Sequence, residues 1–153
     1  MVTALNREKG FTLIEIVLVL AIAAFIIALV FAALSGAQKS KRDTQRREDG
    51  SAFVAALESY SSNHTGAYPA GGIFAAGSGT SPVGPAYFTR TDPLSGQSYA
   101  FTATPATAPA AGTIAYNTTY SCSGQVGVAG AGARAYAIVV GLEVGGSVCF
   151  SNK

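Results

Sequence analysis

Nineteen consecutive apolar residues, Ile16 to Leu34, restrict the fold of this 153-residue chain more than any other feature. As a helix rising about 1.5 Å per residue, the run nearly matches the roughly 30 Å hydrocarbon core of a bilayer. A secretory signal peptide has a shorter apolar stretch, of about 7 to 15 residues, before its cleavage site. The sequence therefore predicts a membrane-spanning helix near its N-terminus.

A single carboxylate, Glu15, stands directly before this apolar run. An ionisable side chain within hydrocarbon costs roughly 2.5 to 3.5 kcal/mol on insertion scales, so one that is kept there usually has a partner. Two interpretations follow. Either Glu15 pairs with a positive group of a second copy, or it lies at headgroup depth and stabilises the start of its own helix.

The segment from Lys9 to Glu15, KGFTLIE, followed by the apolar run, resembles the processing site of type IV prepilins. The resemblance implies that a prepilin peptidase removes residues 1–10 by cutting between Gly10 and Phe11, and that the new amine of Phe11 is methylated. It also implies that Glu15 is the acidic assembly residue of the family. In a helical stack, Glu15 would then meet the terminal amine of Phe11 in another copy.

The basic residues on either side of the run and the prepilin resemblance indicate different membrane orientations. Arg7 and Lys9 precede the run, whereas five basic residues follow it: Lys39, Lys41, Arg42, Arg46 and Arg47. Counting Lys and Arg alone would place the C-terminal side in the cytoplasm. The prepilin resemblance implies instead a single-pass protein of the cytoplasmic membrane, whose C-terminal part lies outside and enters an extracellular pilus after assembly.

The helical pattern continues past the apolar run and predicts one long helix over residues 11–62, with 11–34 as the membrane or filament-core segment. From Gln38 to Asp49, charges of both signs at three- and four-residue spacing are typical of an exposed helix face. An apolar face follows at helical spacing: Phe53, Val54, Leu57 and Tyr60. We expect this last part of the helix to carry a globular head.

Residues 63–153 have the signals of a small β-rich head. Gly66–Pro85, rich in Gly, Ala, Ser and Pro, predicts an irregular connector with Tyr68 and Phe74 as anchors. Three or four antiparallel strands are expected in the following segments: Tyr99–Thr102, Thr113–Asn117, Tyr136–Leu142 and Ser147–Phe150. Gly145-Gly146 suits a two-residue hairpin turn. The fold class is therefore α+β, a long helix packed against a small antiparallel sheet, as the pilin resemblance also implies.

Composition argues against several classes of function. From Ser51 to Lys153 there are three basic and three acidic residues, so this part of the chain is neutral. Nucleic-acid-binding domains usually show a basic patch, and direct nucleic-acid binding by this subunit alone is therefore not expected. No combination of nucleophile, base and orienting group stands out, and no cluster of Cys and His has metal-ligand spacing. We expect neither an enzyme nor a metal site or cofactor.

Cys122 and Cys149 are the two cysteines of the chain. In an oxidising compartment a disulfide is favoured over two free thiols, and it would contribute roughly 3 kcal/mol in the chain-entropy model. The resemblance implies the same bond, because many pilins close their C-terminal region in this way.

Three functions are compatible with the sequence. The resemblance implies a structural subunit that the pilus assembly machinery polymerises into a homo-oligomeric type IV pilus, for adhesion, twitching motility or DNA uptake. The first alternative is a minor pilin or a type II secretion pseudopilin, although two cysteines favour the pilus because major pseudopilins commonly lack a disulfide. The second alternative is a signal-anchored surface binding domain that does not polymerise.

Overall fold

The computed structural model describes residues 10–70, 83 and 87–153. Nearly all of the predicted leader lies outside these residues, as does most of the predicted connector with its expected anchor Phe74. The chain divides into two compact units, Met1–Gln38 and Lys39–Lys153, which we call the N-terminal unit and the head unit.

Helix α1 runs without interruption from Leu13 to Asn63, so the long helix predicted from the sequence is present. It ends where the carbonyl of Ser61 accepts hydrogen bonds from the backbone N–H groups of His64 (3.1 Å) and Gly66 (2.8 Å). Gly66 has a φ of +82°, a left-handed conformation that glycine adopts without steric cost. The helix therefore ends in a glycine turn.

In the N-terminal unit, α1 is apolar on all sides. Every residue from Phe11 to Leu34 is exposed, and Phe11 and Phe31 expose 85% and 71% of their surface. Among the residues that the structure describes, α1 is the one helix that is long and apolar enough to cross a bilayer. A side-chain surface of this kind requires a cover of lipid or protein.

The head unit adds six strands to the last part of α1. The strands are β1 (Ala100–Thr102), β2 (Thr113–Thr118), β3 (Tyr120–Ser123), β4 (Val126–Ala129), β5 (Tyr136–Gly141) and β6 (Ser147–Ser151). Four strands form one sheet in the order β1-β2-β5-β6, and β3 and β4 form a separate two-stranded sheet. The architecture is the α+β pilin-type fold that was expected.

Two details of the predicted sheet are wrong. Strand β1 pairs with β2 in parallel rather than antiparallel, since the ten residues 103–112 carry the chain back across the sheet before β2 begins. The β5–β6 turn is also longer than two residues, because Gly141 pairs with Ser147 and five residues lie between them. Gly145 and Gly146 do lie in this turn, with φ of +80° and +86°.

The core of the head unit forms between α1 and the main sheet. Phe53 and Leu57 are completely buried, as the predicted apolar face requires, while Tyr60 is partly buried at its edge. The Phe53 ring lies 5.0 Å from that of Phe88 in an edge-on arrangement, a geometry that aromatic pairs favour. Helix and sheet approach closely at Gly50, which permits this packing because it has no side chain.

Candidate functional site

Thr12 and Glu15 close the N-terminus of α1. The backbone N–H of Thr12 donates to Glu15 Oε2 at 2.8 Å, and the Thr12 hydroxyl donates to the same oxygen at 2.7 Å. In return, the backbone N–H of Glu15 donates to Thr12 Oγ1 at 3.4 Å. This reciprocal arrangement is a capping box, which supplies acceptors to N–H groups that have no partner within a helix.

The capping box agrees with the interpretation that Glu15 stabilises the start of its own helix, and it identifies Thr12 as the partner. Sequence reasoning did not single out Thr12, although the Thr-Leu-Ile-Glu spacing is a recognisable capping signal. Both contacts fall on one carboxylate oxygen, and Glu15 Oε1 makes no hydrogen bond with any residue that the structure describes. The carboxylate can therefore cap its own helix and still accept a second donor.

Gly10 and Phe11, the predicted cleavage residues, lie before the helix. Both are exposed and neither has helical structure, since α1 begins at Leu13. Exposed, non-helical backbone is the kind of segment that proteases cut most readily. The predicted cut thus falls between two exposed residues that precede the helix.

A second constellation surrounds Arg46 in the head unit, and we call it the Arg46 network. The Arg46 side chain is completely buried, and its Nε donates to Asp92 Oδ1 at 2.7 Å. Its Nη1 lies 3.1 Å from Asp43 Oδ1 and 3.4 Å from Glu143 Oε2. Arg42 forms a bidentate ion pair with Glu143, in which its Nε donates to Oε2 at 2.8 Å and its Nη2 donates to Oε1 at 2.6 Å. The network joins α1 to two distant turns of the head.

The prediction of an exposed charged face between Gln38 and Asp49 is therefore wrong for part of that segment. Asp43, Arg46 and Asp49 are buried because they continue, at three-residue spacing, the face that bears Phe53. The spacing was visible in the sequence, but the charged residue types concealed it. Their partners Asp92 and Glu143 lie far along the chain and carry no local signal.

Two of the three acids of the network, Asp43 and Asp92, also accept hydrogen bonds from backbone N–H groups. Asp43 accepts hydrogen bonds from the N–H groups of Glu143 (2.7 Å) and Val144 (2.9 Å). Asp92 Oδ2 accepts from the N–H groups of Leu94 (3.1 Å) and Ser95 (3.0 Å). Each carboxylate thereby fixes one turn while it contacts Arg46.

These contacts govern the protonation of both acids. Burial by itself would raise the pKa of Asp43, but the backbone N–H groups and Arg46 outweigh it, so that this pKa lies below its ordinary value. For Asp92, burial is likewise outweighed by Arg46 and by the turn N–H groups, and its pKa is also lowered. Both residues are thus anionic partners of Arg46 at neutral pH.

A neighbouring contact extends the polar region of the helix. Arg90 Nη1 lies 3.1 Å from Asp49 Oδ1, and the hydroxyl of Tyr99 donates to Asp49 Oδ2 at 2.8 Å. Tyr99 is completely buried, and its burial together with the nearby Asp49 raises the pKa of its phenol. The phenol therefore remains a hydrogen-bond donor.

Cys122 in β3 and Cys149 in β6 form a disulfide, with their Cα atoms 5.8 Å apart. The bond ties the small two-stranded sheet to the edge of the main sheet. Strand β3 was not among the predicted strands, because its Tyr-Ser-Cys-Ser sequence has little of the β-branched alternation that marks one.

The comparisons with known proteins concern mainly the N-terminal unit. The model of the prokaryotic N-terminal methylation motif matches residues 5–31, which include Gly10, Phe11, Glu15 and most of the apolar run. This match supports a type IV pilin-like or pseudopilin precursor, for which the motif implies processing by prepilin peptidase. No curated protein and no solved structure gave a match.

Proposed function

We propose that the chain is a structural subunit of a type IV pilus. In this proposal, prepilin peptidase cuts between Gly10 and Phe11, and the processed chain polymerises through residues 11–34 into an extracellular filament. The observation that carries the proposal is the exposed apolar surface of α1 that follows Glu15, most of which lies within the matched methylation motif. Lipid covers this surface before assembly, and identical helices cover it afterwards.

Glu15 determines how one subunit meets the next. Cleavage before Phe11 creates an α-amine at the positive end of the helix dipole, where a second positive charge is unfavourable. The Glu15 oxygen that does not take part in the capping box can accept this amine from a neighbouring copy. Pairing gives the carboxylate and the amine opposite charges as partners within an apolar core, where an unpaired charge is strongly destabilising.

The head unit forms the outer surface of the proposed filament. The Arg46 network and the buried Phe53 face hold the sheet on α1, and the disulfide closes its C-terminal part. Adhesion, twitching motility and DNA uptake are the roles that such a surface can serve. No nucleic-acid contact by a single subunit is proposed, because residues 51–153 carry equal numbers of basic and acidic side chains.

A signal-anchored surface domain that never polymerises is the second candidate. One specific observation favours it, since the Thr12–Glu15 capping box gives the carboxylate hydrogen-bond partners within a single chain. In this case Glu15 lies at the membrane interface and needs no second copy.

The N-terminus of the mature protein distinguishes these candidates. Mass spectrometry of sheared surface material should find N-methyl-Phe11, and electron microscopy should show filaments that are lost when the protein is absent. An uncut Met1 without filaments would support the anchored domain. A processed Phe11 with unchanged filaments in the absence of the protein would indicate a minor pilin or a pseudopilin.

A further inference from the structure

Two exposed apolar side chains stand at the tips of the turns that the Arg46 network holds. Leu94, in the turn after Asp92, exposes 60% of its surface, and Val144, in the β5–β6 turn, exposes 62%. Among the described residues of the head unit, Val128 on β4 is the only other large apolar residue that is exposed. We call Leu94 and Val144 together the turn pair, because the turns that carry them are both bound by carboxylates that contact Arg46.

Both turns that carry the turn pair are linked to the guanidinium of Arg46 through a carboxylate. The N–H of Leu94 donates to Asp92, and the N–H of Val144 donates to Asp43. The opposite oxygens of these two carboxylates both contact the buried Arg46. Because the backbone of both turns is already fixed, docking would not have to order these loops, which lowers the cost of binding.

The carboxylate next to Val144 in the chain is paired. Glu143 precedes Val144 in the chain, and its carboxylate is bound by Arg42 and contacted by Arg46. Burying an unpaired carboxylate against an apolar partner would be costly, whereas a paired one adds much less. The surroundings of the turn pair are therefore compatible with an apolar partner.

The chain itself offers one partner of this chemistry. Apart from the turn pair and Val128, every large apolar side chain exposed in the described residues lies between Phe11 and Leu34. We infer that Leu94 and Val144 dock on the apolar 11–34 segment of a second copy in the filament. This inference rests on the proposed function and adds to it a specific contact between the head of one subunit and the helix of another.

Cross-linking in assembled fibres tests the contact directly. A benzophenone amino acid is placed at Leu94 or Val144 of the full-length chain, sheared fibres are irradiated, and cross-linked peptides are identified by mass spectrometry. We expect adducts with residues 11–34 of another copy, and no such adduct from the same probe at Val128. Adducts only with residues 39–153 of another copy, or no intermolecular adduct from intact fibres, would overturn the inference.

A substitution pair measures the effect on assembly. Leu94→Ser combined with Val144→Ser should lower fibre mass per cell about tenfold, a small part of the effect expected for burying two aliphatic side chains. Val128→Ser, the matched control, should change it less than about twofold. Processing at Phe11 and the unfolding midpoint of the detergent-solubilised chain should stay unchanged. If that midpoint falls, the fibre yield also reflects folding of the head, and the cross-linking result then decides whether the turn pair makes the inferred contact.

The outcomes separate the two proposals. If the unsubstituted chain forms no fibres, the proposed function fails and this inference fails with it. If the unsubstituted chain forms fibres and the double variant forms them at normal yield, only the contact of the turn pair is refuted.

Discussion

Arg46→Met is the substitution with the most informative effect on the head unit. It retains an unbranched side chain but removes the buried cation that contacts Asp43 and Asp92, which are only 7% and 4% exposed. Both carboxylates would keep their backbone N–H donors and lose the charge that balances them. Removing one partner of a buried ion pair typically costs about 3 to 5 kcal/mol.

The size of this effect makes it easy to measure. Folded domains have a free energy of unfolding of roughly 5 to 15 kcal/mol, so that a loss of about 3 to 5 kcal/mol is a large fraction of the total. For a unit of this size it should lower the thermal midpoint by roughly 10 to 20 °C. The assay is near-ultraviolet circular dichroism of the detergent-solubilised chain, with Arg47→Met as the control because Arg47 is the adjacent, exposed arginine.

The pH dependence gives a second test. The pKa values of Asp43 and Asp92 are lowered in the folded protein, so their stabilising contribution is present above the unfolded pKa, about 3.9, and disappears as pH falls through the folded value. The loss of unfolding free energy caused by Arg46→Met should therefore be largest at neutral pH and shrink below about pH 4. Equal midpoints for the Arg46 and Arg47 variants at neutral pH would refute this account of the network.

Three further predictions concern other parts of the chain. Gly50→Ala would place its Cβ 2.6 Å from the Phe150 ring and should destabilise the head by about 1 to 3 kcal/mol, whereas Gly36→Ala, with no atom within 4 Å, should not lower the midpoint. Reducing the disulfide should lower the free energy of unfolding by roughly 3 kcal/mol in denaturant titrations. Glu15→Ala should leave the protein inserted and processed but poorly assembled, and normal fibre yield by electron microscopy would count against a role for this carboxylate.

The elements that the sequence predicted correctly are those with local signals. The apolar run, the helical spacing of Phe53 and Leu57, and the β-rich segments from Tyr136 onward each lie within a short window of the chain. The long helix and the α+β class followed from these patterns alone.

The Arg46 network could not be predicted in the same way. Arg46 and Asp43 resemble ordinary surface residues of a charged helix until the fold brings Asp92 and Glu143 against them, and these lie 46 and 97 residues beyond Arg46. The parallel pairing of β1 depends similarly on the path of residues 103–112. Long-range contacts of this kind leave no periodic signal in the sequence.

The distance between Glu15 and the terminal amine of Phe11 in an adjacent subunit tests the central claim most directly. A filament structure at side-chain resolution should place a Glu15 carboxylate oxygen about 3 Å from that amine nitrogen, within an apolar core. A filament in which the two groups lie far apart and are each hydrated, or the absence of any filament from a correctly processed chain, would contradict the account.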